Sequence, residues 1–551
     1  MKFSKDDLIF IPLGGSSEIG MNSNLYHFKN RWIMVDLGIS FPDDNMPGID
    51  IVLPDLTFIE ERKSNLEAII LTHAHEDHFG AIPYLWQKLK VPVYGSPFTI
   101  ALLRRKLSEA RSKLKVPLIT IDYNTSLQLG PFSIEFINLT HSIPDPTAIT
   151  IRTSKGLILH TGDWKFDASP IIGNNTDKER LKQIGEEGVL AMVGDSTNSL
   201  IEGHSNSEEI AKQALEKIIK ASKNTVAVTC FASNIARISS ILSAANKCDR
   251  NVCIVGRSLN RAISAAKEVG YLKNLPDLVN ENNVNLIPKE KLLIICTGTQ
   301  GEPRSAMSKI AFDNHENISL NKDDTVIFSS RKIPGNEQSI DRVQNMLIKK
   351  GINLITDEDD DIHVSGHPSK EEMIEMYSII RPKIAIPVHG MPRHLDAHAK
   401  IAKMSQVNNV FIPENGSVIR LNNFKKENPE KVKTGLLTYE GGELVDLSSD
   451  IFKSRRRLLW NGTLTASIVL NNSNKLLLAP QITQSGIISA ENSDDFIAEL
   501  SIYIEDEFLT FHKNELSDDI ILESKIKSCI RKFIKIKSGL RSEINIHLIR
   551  A

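Results

Sequence analysis

The sequence predicts an α/β protein built from more than one domain. Residues 8–161 alternate short apolar strands with stretches of helical periodicity, and residues 207–361 alternate strands and helices more regularly. Residues 458–551 combine strands and helices once more. Because 551 residues exceed the length that one hydrophobic core usually serves, we expect these regions to form separate domains.

The first region is expected to form sheets flanked by helices. Helical periodicity occurs at residues 79–89 and 99–107, between segments that are short and apolar. The predicted strands are residues 8–11, 32–36, 68–71, 132–136 and 157–160.

The second region predicts a parallel sheet that interrupts the first domain. Its strands are near-continuous apolar runs, which are typical of strands buried on both faces. They are residues 225–229, 251–255, 292–296 and 325–328. Further ligand-type residues occur at 363–367 and after a strand at 384–388, so the first domain is expected to resume after the insertion. We expect a first domain at 1–206 and 362–424, with an inserted α/β domain at 207–361.

The remainder of the chain predicts a linker and a small α/β domain. Residues 425–431 have the composition of a surface loop, and residues 453–457 form a basic run. We therefore expect a linker at 425–457 and a carboxy-terminal domain at 458–551. No catalytic constellation occurs in that domain, so a packing or self-association role is expected.

Composition restricts the location and the partners. The formal net charge of −2 gives no overall attraction for a polyanion, so any nucleic-acid site must carry local positive charge. Five cysteines without a CxxC pair suit a reducing compartment. The amino terminus lacks an apolar signal core, and no apolar run is long enough for a membrane span. A cytoplasmic location and no membrane partner are expected.

The segment from Leu71 to His78 predicts a metal site. It places His73, His75, Asp77 and His78 directly after an apolar strand. Extended backbone puts alternate side chains on one side, and a turn would bring the last two beside them. Imidazole and carboxylate are ligands for zinc and manganese. The alternative is a polar loop with scattered histidines.

Three further residues at strand ends could complete the site: His141, Asp163 and His389. Taken alone, His141 or Asp163 would more often cap a helix or stabilise a loop. Their occurrence together with the cluster favours ligation instead. Seven candidate ligands are too many for one tetrahedral ion and suit two divalent metal ions.

The His-x-His-x-Asp-His pattern resembles that of metallo-β-lactamase-fold hydrolases. The resemblance implies an αββα sandwich. It also implies a ligand pairing: His73, His75 and His141 on one ion, Asp77, His78 and His389 on the other, and Asp163 bridging. Asp36 is then expected to support the ligand loop without binding metal. Zinc is the expected metal, with manganese or magnesium as alternatives.

The inserted domain narrows the resemblance to the β-CASP nucleases. Three marks of that group are matched by Asp195, His367 and His389. Further segments are similar to the ribonuclease J family, and this similarity covers essentially the whole chain. They include residues 12–15, 231–234, 256–258, 297–303 and 387–390. Arg304, Met391 and Ser417 depart from the family pattern.

The resemblance implies hydrolysis of RNA from a 5′-monophosphate end in the 5′-to-3′ direction, together with internal cleavage, in RNA processing and mRNA decay. It assigns catalytic roles to His367, Asp77 and Asp195. Five residues are expected to bind the substrate phosphate: His363, Ser365, His367, Ser233 and Asn234. The expected partners are single-stranded RNA, a second copy in a homodimer or homotetramer, and RNA-degradation or ribosome-associated proteins.

Other interpretations remain open at this point. The chain could be a β-CASP nuclease that cleaves DNA or messenger-RNA precursors, or a hydrolase of small esters or lactones with the same fold. It could also be an inactive structural subunit of an RNA-processing assembly. Phe231 could stack on a base or simply fill the core, and Gly298 and Gly301 could serve only tight turns.

Overall fold

A computed structural model describes residues 3–43, 45–110, 114–273, 276–333, 335–423 and 430–551. The chain divides into two compact units. The first comprises Met1–Ser40 and Val52–Gly435, and the second comprises Phe41–Ile51 and Leu436–Ala551. No helix in these described ranges combines the length and the apolarity required to span a lipid bilayer.

The first unit contains two seven-stranded sheets that share one core. In spatial order, the first sheet is Ile419–Arg420, Ile9–Gly14, Ser23–Phe28, Arg31–Val35, Leu66–Ile70, Val93–Gly95 and Leu118–Thr120. The second is Asn409–Val410, Ile384–Val388, Val189–Asp195, Gly156–His160, Thr147–Thr153, Phe132–Asn138 and Ser126–Leu129. Side chains of both sheets meet in a single apolar cluster, so the sheets form a sandwich.

Side-chain alternation in the second sheet explains why both of its faces are covered. Ile149 and Ile151 point into the core between the sheets, whereas Ala148 belongs to a second cluster on the opposite face. Three helices cover that opposite face: Lys178–Glu187, Lys370–Ile380 and Pro392–Met404.

The first sheet is also flanked by helices, because Pro97–Glu109 contacts Val93–Gly95 and Leu118–Thr120. The sandwich with helices outside both sheets is therefore confirmed. Its other short elements are Leu53–Pro54, Thr57–Glu60, Lys63–Asn65, Glu76–Phe79 and Ile82–Leu89.

The inserted segment forms a six-stranded sheet in which every pairing is parallel. The spatial order is Leu278–Val279, Asn251–Val255, Leu292–Cys296, Val226–Thr229, Thr325–Phe328 and Asn353–Ile355. Parallel strands need crossover connections, which the following helices supply. They are Glu208–Ala221, Ile235–Lys247, Arg257–Glu268, Glu281–Leu286, Lys289–Lys291, Ala306–Ala311 and Glu337–Lys349. The predicted parallel α/β insertion is confirmed.

The second unit is built on a three-stranded sheet. Thr463–Leu470 lies in the centre, antiparallel to Gln481–Ser485 and parallel to Glu543–Arg550. Its residues alternate between buried and half-buried, which is the pattern of a strand packed on one face. The helical elements are Ala490–Asn492, Ser493–Phe508, Lys513–Ser517 and Asp519–Ser538, and the three longest supply side chains to the same core.

The structure differs from the predicted linker at 425–457. Residues 424–429 lie outside the described ranges, but Leu436–Glu440 and Glu443–Asp446 pair as an antiparallel hairpin. The helix Asp450–Asn461 contains the basic run. Gly441 and Gly442 both have positive φ, so a two-residue glycine turn closes the hairpin. In the carboxy-terminal segment of the second unit, regular secondary structure therefore begins at Leu436, within the range expected to be a linker.

Ile386→Ala tests the shared core of the sandwich. Ile386 is fully buried between the two sheets, so this substitution should lower the free energy of unfolding by about 2–5 kcal/mol. Urea denaturation of the full chain, followed by circular dichroism, measures the change. Ile348→Ala is the matched control because Ile348 is 54% exposed, and it should change stability by about 0.5 kcal/mol or less. Equal losses in both variants would contradict this packing.

Candidate metal centre

The cluster of the sequence motif forms where the strand Leu66–Ile70 ends. The chain leaves the sheet at Leu71, and His73 and His75 follow, the latter with an extended backbone. The short helix Glu76–Phe79, which is a single turn, then carries Asp77 and His78. A strand end followed by a helix thus brings four polar side chains to one edge of the sandwich.

Three histidines form the first donor group. His73 Nε2 and His141 Nε2 each lie 3.1 Å from His75 Nδ1. The Asp163 carboxylate completes the group, with Oδ2 at 3.8 Å from His73 Nε2 and 3.9 Å from His141 Nε2. These four side chains could hold one cation.

A second donor group shares the same carboxylate oxygen. Asp163 Oδ2 lies 3.2 Å from His78 Nε2 and 3.4 Å from His389 Nε2. Asp77 Oδ2 lies 3.5 Å and 3.6 Å from the same two nitrogens. The seven predicted ligands therefore lie together in two groups that have Asp163 in common.

The donor set fits two divalent cations. Zinc–nitrogen bonds of about 2.0–2.1 Å place tetrahedral ligands roughly 3.3 Å apart, close to the separations within each group. Asp163 Oδ1 supplies independent support, since it is buried and accepts no hydrogen bond from the described residues. A buried carboxylate oxygen without a partner is costly unless a cation satisfies it.

Electrostatics also favour cations at this position. Burial lowers the pKa of His73 and His141 well below its ordinary value and lowers that of His75 to about 4. These imidazoles are therefore neutral, which is the state that binds metal. Burial opposes charge on His78 as well, but Asp163, Asp77 and Asp36 outweigh it and raise the pKa of His78. The second donor group thus attracts positive charge.

Asp36 stabilises the segment from Thr72 to His78 through hydrogen bonds to both of its ends. Its Oδ2 accepts a hydrogen bond from His78 Nδ1 at 2.8 Å, which turns Nε2 toward Asp163 and Asp77. Oδ1 accepts from the backbone N–H of Thr72 at 2.8 Å, and Oδ2 also accepts from the Thr72 hydroxyl at 2.9 Å. Asp36 has a φ of 63°, so its backbone is in the left-handed region. This carboxylate fixes the direction of the strand end and of one ligand together.

Two orienting groups were not anticipated from the sequence. The backbone carbonyl of Gly366 accepts from His141 Nδ1 at 2.5 Å, and a Cβ at Gly366 would lie 2.6 Å from the imidazole. The buried Asn22 side chain contacts two imidazoles: its amide nitrogen lies 2.8 Å from His389 Nδ1 and 3.1 Å from His78 Nε2, and its oxygen lies 3.1 Å from His389 Nδ1. The same nitrogen donates to the Asp77 carbonyl at 3.2 Å. Both fix an imidazole so that Nε2 points inward. A backbone carbonyl gives no signal in the sequence. For Asn22, the available signal was its position two residues after the Gly20 turn.

Asp195 and His367 pair beside the centre. His367 Nδ1 lies 2.7 Å from Asp195 Oδ2 and 3.8 Å from Asp163 Oδ2. Asp195 Oδ1 also accepts from the backbone N–H and the hydroxyl of Thr197. Burial favours neutral imidazole, but the Asp195 carboxylate prevails and raises the pKa of His367 to about 9. His367 thus carries a proton next to the ligands.

The remaining predicted pocket residues lie on two segments. Ser365 accepts from the side-chain amide of Asn198 at 2.8 Å and from the backbone N–H of His367 at 3.2 Å. His363 Nδ1 is buried and has no hydrogen-bond partner among the described residues. Asn234 caps the helix Ile235–Lys247, and Ser233 directly precedes it. One cavity is lined by His141, by Ser142 and by Ala236 in the first turn of that helix.

The three departures from the family pattern lie outside both donor groups. Arg304 is exposed in the turn before Ala306–Ala311. Met391 is 47% exposed at the start of Pro392–Met404. Ser417 is buried and accepts from the Glu414 backbone N–H at 3.1 Å. None of them contributes a donor atom to the centre.

Family models match four successive parts of the chain. Residues 20–228 match the metallo-beta-lactamase superfamily, and residues 223–347 match the ribonuclease J beta-CASP domain. Residues 360–413 match the Zn-dependent metallo-hydrolase RNA specificity domain, and residues 451–551 match the ribonuclease J C-terminal domain.

Several curated proteins resemble the chain over most of its length. Ribonuclease J of Sinorhizobium meliloti is 42% identical over 486 residues, covering 88% of this chain and 86% of that protein. Ribonuclease J 1 of Streptococcus pyogenes serotype M3 is 35% identical over 531 residues, covering 96% and 94%.

One crystal structure supports the fold alone. It is that of a protein of unknown function from Enterococcus faecalis V583, with a TM-score of 0.52 and 18% identity over 75% of this chain and 99% of that chain. The full-length similarity to curated relatives confirms the resemblance drawn from the motifs. The chain therefore belongs to the ribonuclease J family and is a metal-dependent ribonuclease of the metallo-β-lactamase fold.

Proposed function

We propose that the enzyme removes nucleotides from RNA in the 5′-to-3′ direction, prefers a 5′-monophosphate end and also cleaves internally. The observation that carries the proposal is the position of His367. It lies 3.8 Å from the shared Asp163 carboxylate and also ends the segment that contains His363 and Ser365. One short segment thus connects the candidate phosphate pocket to the candidate site of hydrolysis.

The seven clustered side chains would hold two divalent cations, most simply zinc, with manganese or magnesium as alternatives. His73, His75 and His141 would bind one, Asp77, His78 and His389 the other, and Asp163 both. When bound, such ions lower the pKa of water and neutralise charge on phosphoryl oxygens. Asp36, Gly366 and Asn22 keep the imidazoles aimed inward.

His367 is proposed as the general acid. Water adds to phosphorus and loses one proton to solvent, the bond from phosphorus to the 3′ oxygen breaks, and that oxygen takes the proton of His367, which solvent then restores. Asp195 orients the imidazole through Nδ1 and keeps it protonated. The products are a 3′-hydroxyl on the departing nucleotide and a new 5′-monophosphate on the remaining chain. The shortened RNA therefore begins the next cycle with the preferred end.

The pocket explains a preference for the chain end. Ser233 and Asn234 from the inserted domain would face His363 and Ser365 from the loop that returns to the sandwich, with a 5′-phosphate between them. A phosphate held at a fixed distance from the cations places the first phosphodiester at the reaction site. Because this distance would fit one nucleotide, the enzyme would release mononucleotides.

Several properties of the working enzyme are part of the same proposal. Single-stranded RNA would bind through Arg and Lys side chains, with affinity that falls as salt rises. The match of residues 360–413 to an RNA specificity domain supports RNA as the substrate. We further propose a homodimer or homotetramer in the cytoplasm, in contact with RNA-degradation or ribosome-associated proteins.

Product analysis tests the proposed direction and end preference. One RNA is prepared with a 5′-monophosphate, a 5′-triphosphate or a 5′-hydroxyl, beside a DNA oligonucleotide of the same sequence. Mononucleotides should appear fastest from the monophosphate RNA and should disappear with His75→Ala. Internal fragments that are insensitive to the 5′ group would identify an endonuclease instead, and faster DNA cleavage would contradict RNA as the substrate.

Asp163→Ala should remove both cations, because both donor groups lose their common oxygen. We expect a fall in kcat/KM of roughly 10³-fold or more, since metal ions contribute several kcal/mol to such reactions. Elemental analysis of the purified protein should show the loss of metal directly. Asp396→Ala is the control, because Asp396 forms an exposed surface pair with Lys400. Retention of two ions per chain in Asp163→Ala would refute the shared-ligand assignment.

Substrate chemistry tests the role of His367. His367→Ala should slow cleavage of ordinary RNA by about 10²–10⁴-fold, the usual contribution of general acid catalysis. RNA with sulfur in place of the scissile 3′ oxygen needs no proton on its leaving group, so it should be cleaved by this variant at nearly the wild-type rate. His75→Ala should fail on both substrates. Equal losses on oxygen and sulfur substrates in His367→Ala would exclude the acid role.

A further inference from the structure

Arg237 is a buried cation at the junction between the inserted sheet and the sandwich. Its side chain is 1% exposed, and the guanidinium forms a two-point ion pair with Glu208. Arg237 Nε lies 2.6 Å from Glu208 Oε1, and Nη2 lies 3.0 Å from Oε2. A buried pair of this kind is weak evidence for stability, because its desolvation cost is large. Its contacts therefore need another explanation.

The guanidinium contacts both segments that connect the sandwich to the inserted domain. Glu208 begins the helix that enters the insertion, and Ile362 lies where the chain returns. Arg237 Nη1 donates to the Ile362 carbonyl at 2.8 Å and to Ser329 Oγ at 2.6 Å. Ser329 Oγ in turn donates to the Ile362 carbonyl at 2.7 Å. Entry, exit and sheet are thus tied to one side chain.

Both walls of the proposed phosphate pocket depend on this contact. Arg237 lies in the first turn of the helix whose cap is Asn234, and its backbone N–H donates to Asn234 Oδ1 at 2.8 Å. On the other side, the carbonyl that the guanidinium holds belongs to the residue directly before His363. Arg237 therefore contacts a residue of one wall and the residue that precedes the other wall.

A chain of polar contacts continues from Arg237 to the metal ligands. Asp167 Oδ2 accepts from the Glu208 backbone N–H at 3.0 Å and lies 3.3 Å from Lys165 Nζ. Lys165 and Thr140 pair through their backbones, with the Lys165 N–H donating to the Thr140 carbonyl at 2.8 Å. His141 follows Thr140. The pocket walls and a ligand-bearing segment are therefore connected through buried groups.

We propose that Arg237 is a positioning residue that sets the width of the 5′-phosphate pocket and its distance from the cations, and thereby determines discrimination between 5′ ends. This inference rests on the proposed function. The planar guanidinium contacts five acceptor atoms in fixed directions, which an ammonium group cannot reproduce. Displacements of about 1 Å at such a pocket can cost on the order of 100-fold in rate.

Arg237→Lys tests the proposal because it keeps the charge and loses the fork. The measured quantity is the ratio of kcat/KM for 5′-monophosphate RNA to that for 5′-hydroxyl RNA. We expect this ratio to fall by about tenfold or more through a higher KM for the monophosphate RNA. Metal content and cleavage at internal sites should change little. A merely structural role would lower all rates together and leave the ratio unchanged.

Two further variants keep the test decisive. Ser329→Ala removes one contact of the guanidinium and keeps the ion pair, so it should lower the ratio by a smaller factor and answer the question if Arg237→Lys does not fold. Lys217→Ala is the matched control, since Lys217 is 76% exposed and pairs with Asp360 on the surface.

The outcomes separate the two proposals. A wild-type ratio near one would refute the proposed end preference and the inference with it. A high wild-type ratio that stays within about twofold in folded, metal-loaded Arg237→Lys, or in Ser329→Ala where the first variant does not fold, would overturn the positioning role alone.

Discussion

The structure depends on one shared carboxylate. Asp163 Oδ2 lies within 3.9 Å of four imidazole nitrogens that belong to two donor groups, and its other oxygen is buried without a partner among the described residues. Burial favours the protonated form of this group, but the neighbouring imidazoles of His389 and His78 hold the pKa of Asp163 well below its ordinary value. An anion in such a place is stable only among cations or polarised donors. The surrounding fold supplies these donors from several distant parts of the chain.

The sandwich makes that convergence possible. The His73–His78 segment follows a strand of the first sheet, and His389, Asp163 and His141 follow alternate strands of the second, although 316 positions separate His73 from His389 (389 − 73). The insertion leaves the sandwich after Asp195 and returns before His367, so the pair that holds a proton also closes the gap around the inserted sheet. Asp195 and His367 therefore lie both beside the candidate metal centre and at the two ends of the insertion. Behind this junction, Arg237 contacts Glu208 where the chain enters the insertion and the Ile362 carbonyl where it returns.

Much of this arrangement could be predicted from residue patterns, because ligand types at fixed spacing and apolar periodicity are local properties. The cluster from His73 to His78 and the parallel insertion are examples. The contacts of the Gly366 carbonyl and the Asn22 amide with the imidazoles were not predicted, since they form only when distant segments of the chain come together. The hairpin at Leu436–Asp446 was mistaken for part of a linker because a surface-loop composition preceded it and a basic run followed it, although Gly441-Gly442 is a turn signal. The contacts of Arg237 involve carbonyl groups, which no sequence pattern reveals.

The central claim is that Asp163 bridges two cations. Anomalous diffraction from crystals of the metal-loaded enzyme, recorded on both sides of the zinc and manganese absorption edges, tests it most directly. We expect two peaks about 3.5–4 Å apart, as in other two-metal sites, with Asp163 Oδ2 between them. One peak, or two peaks of which only one contacts Asp163, would contradict it.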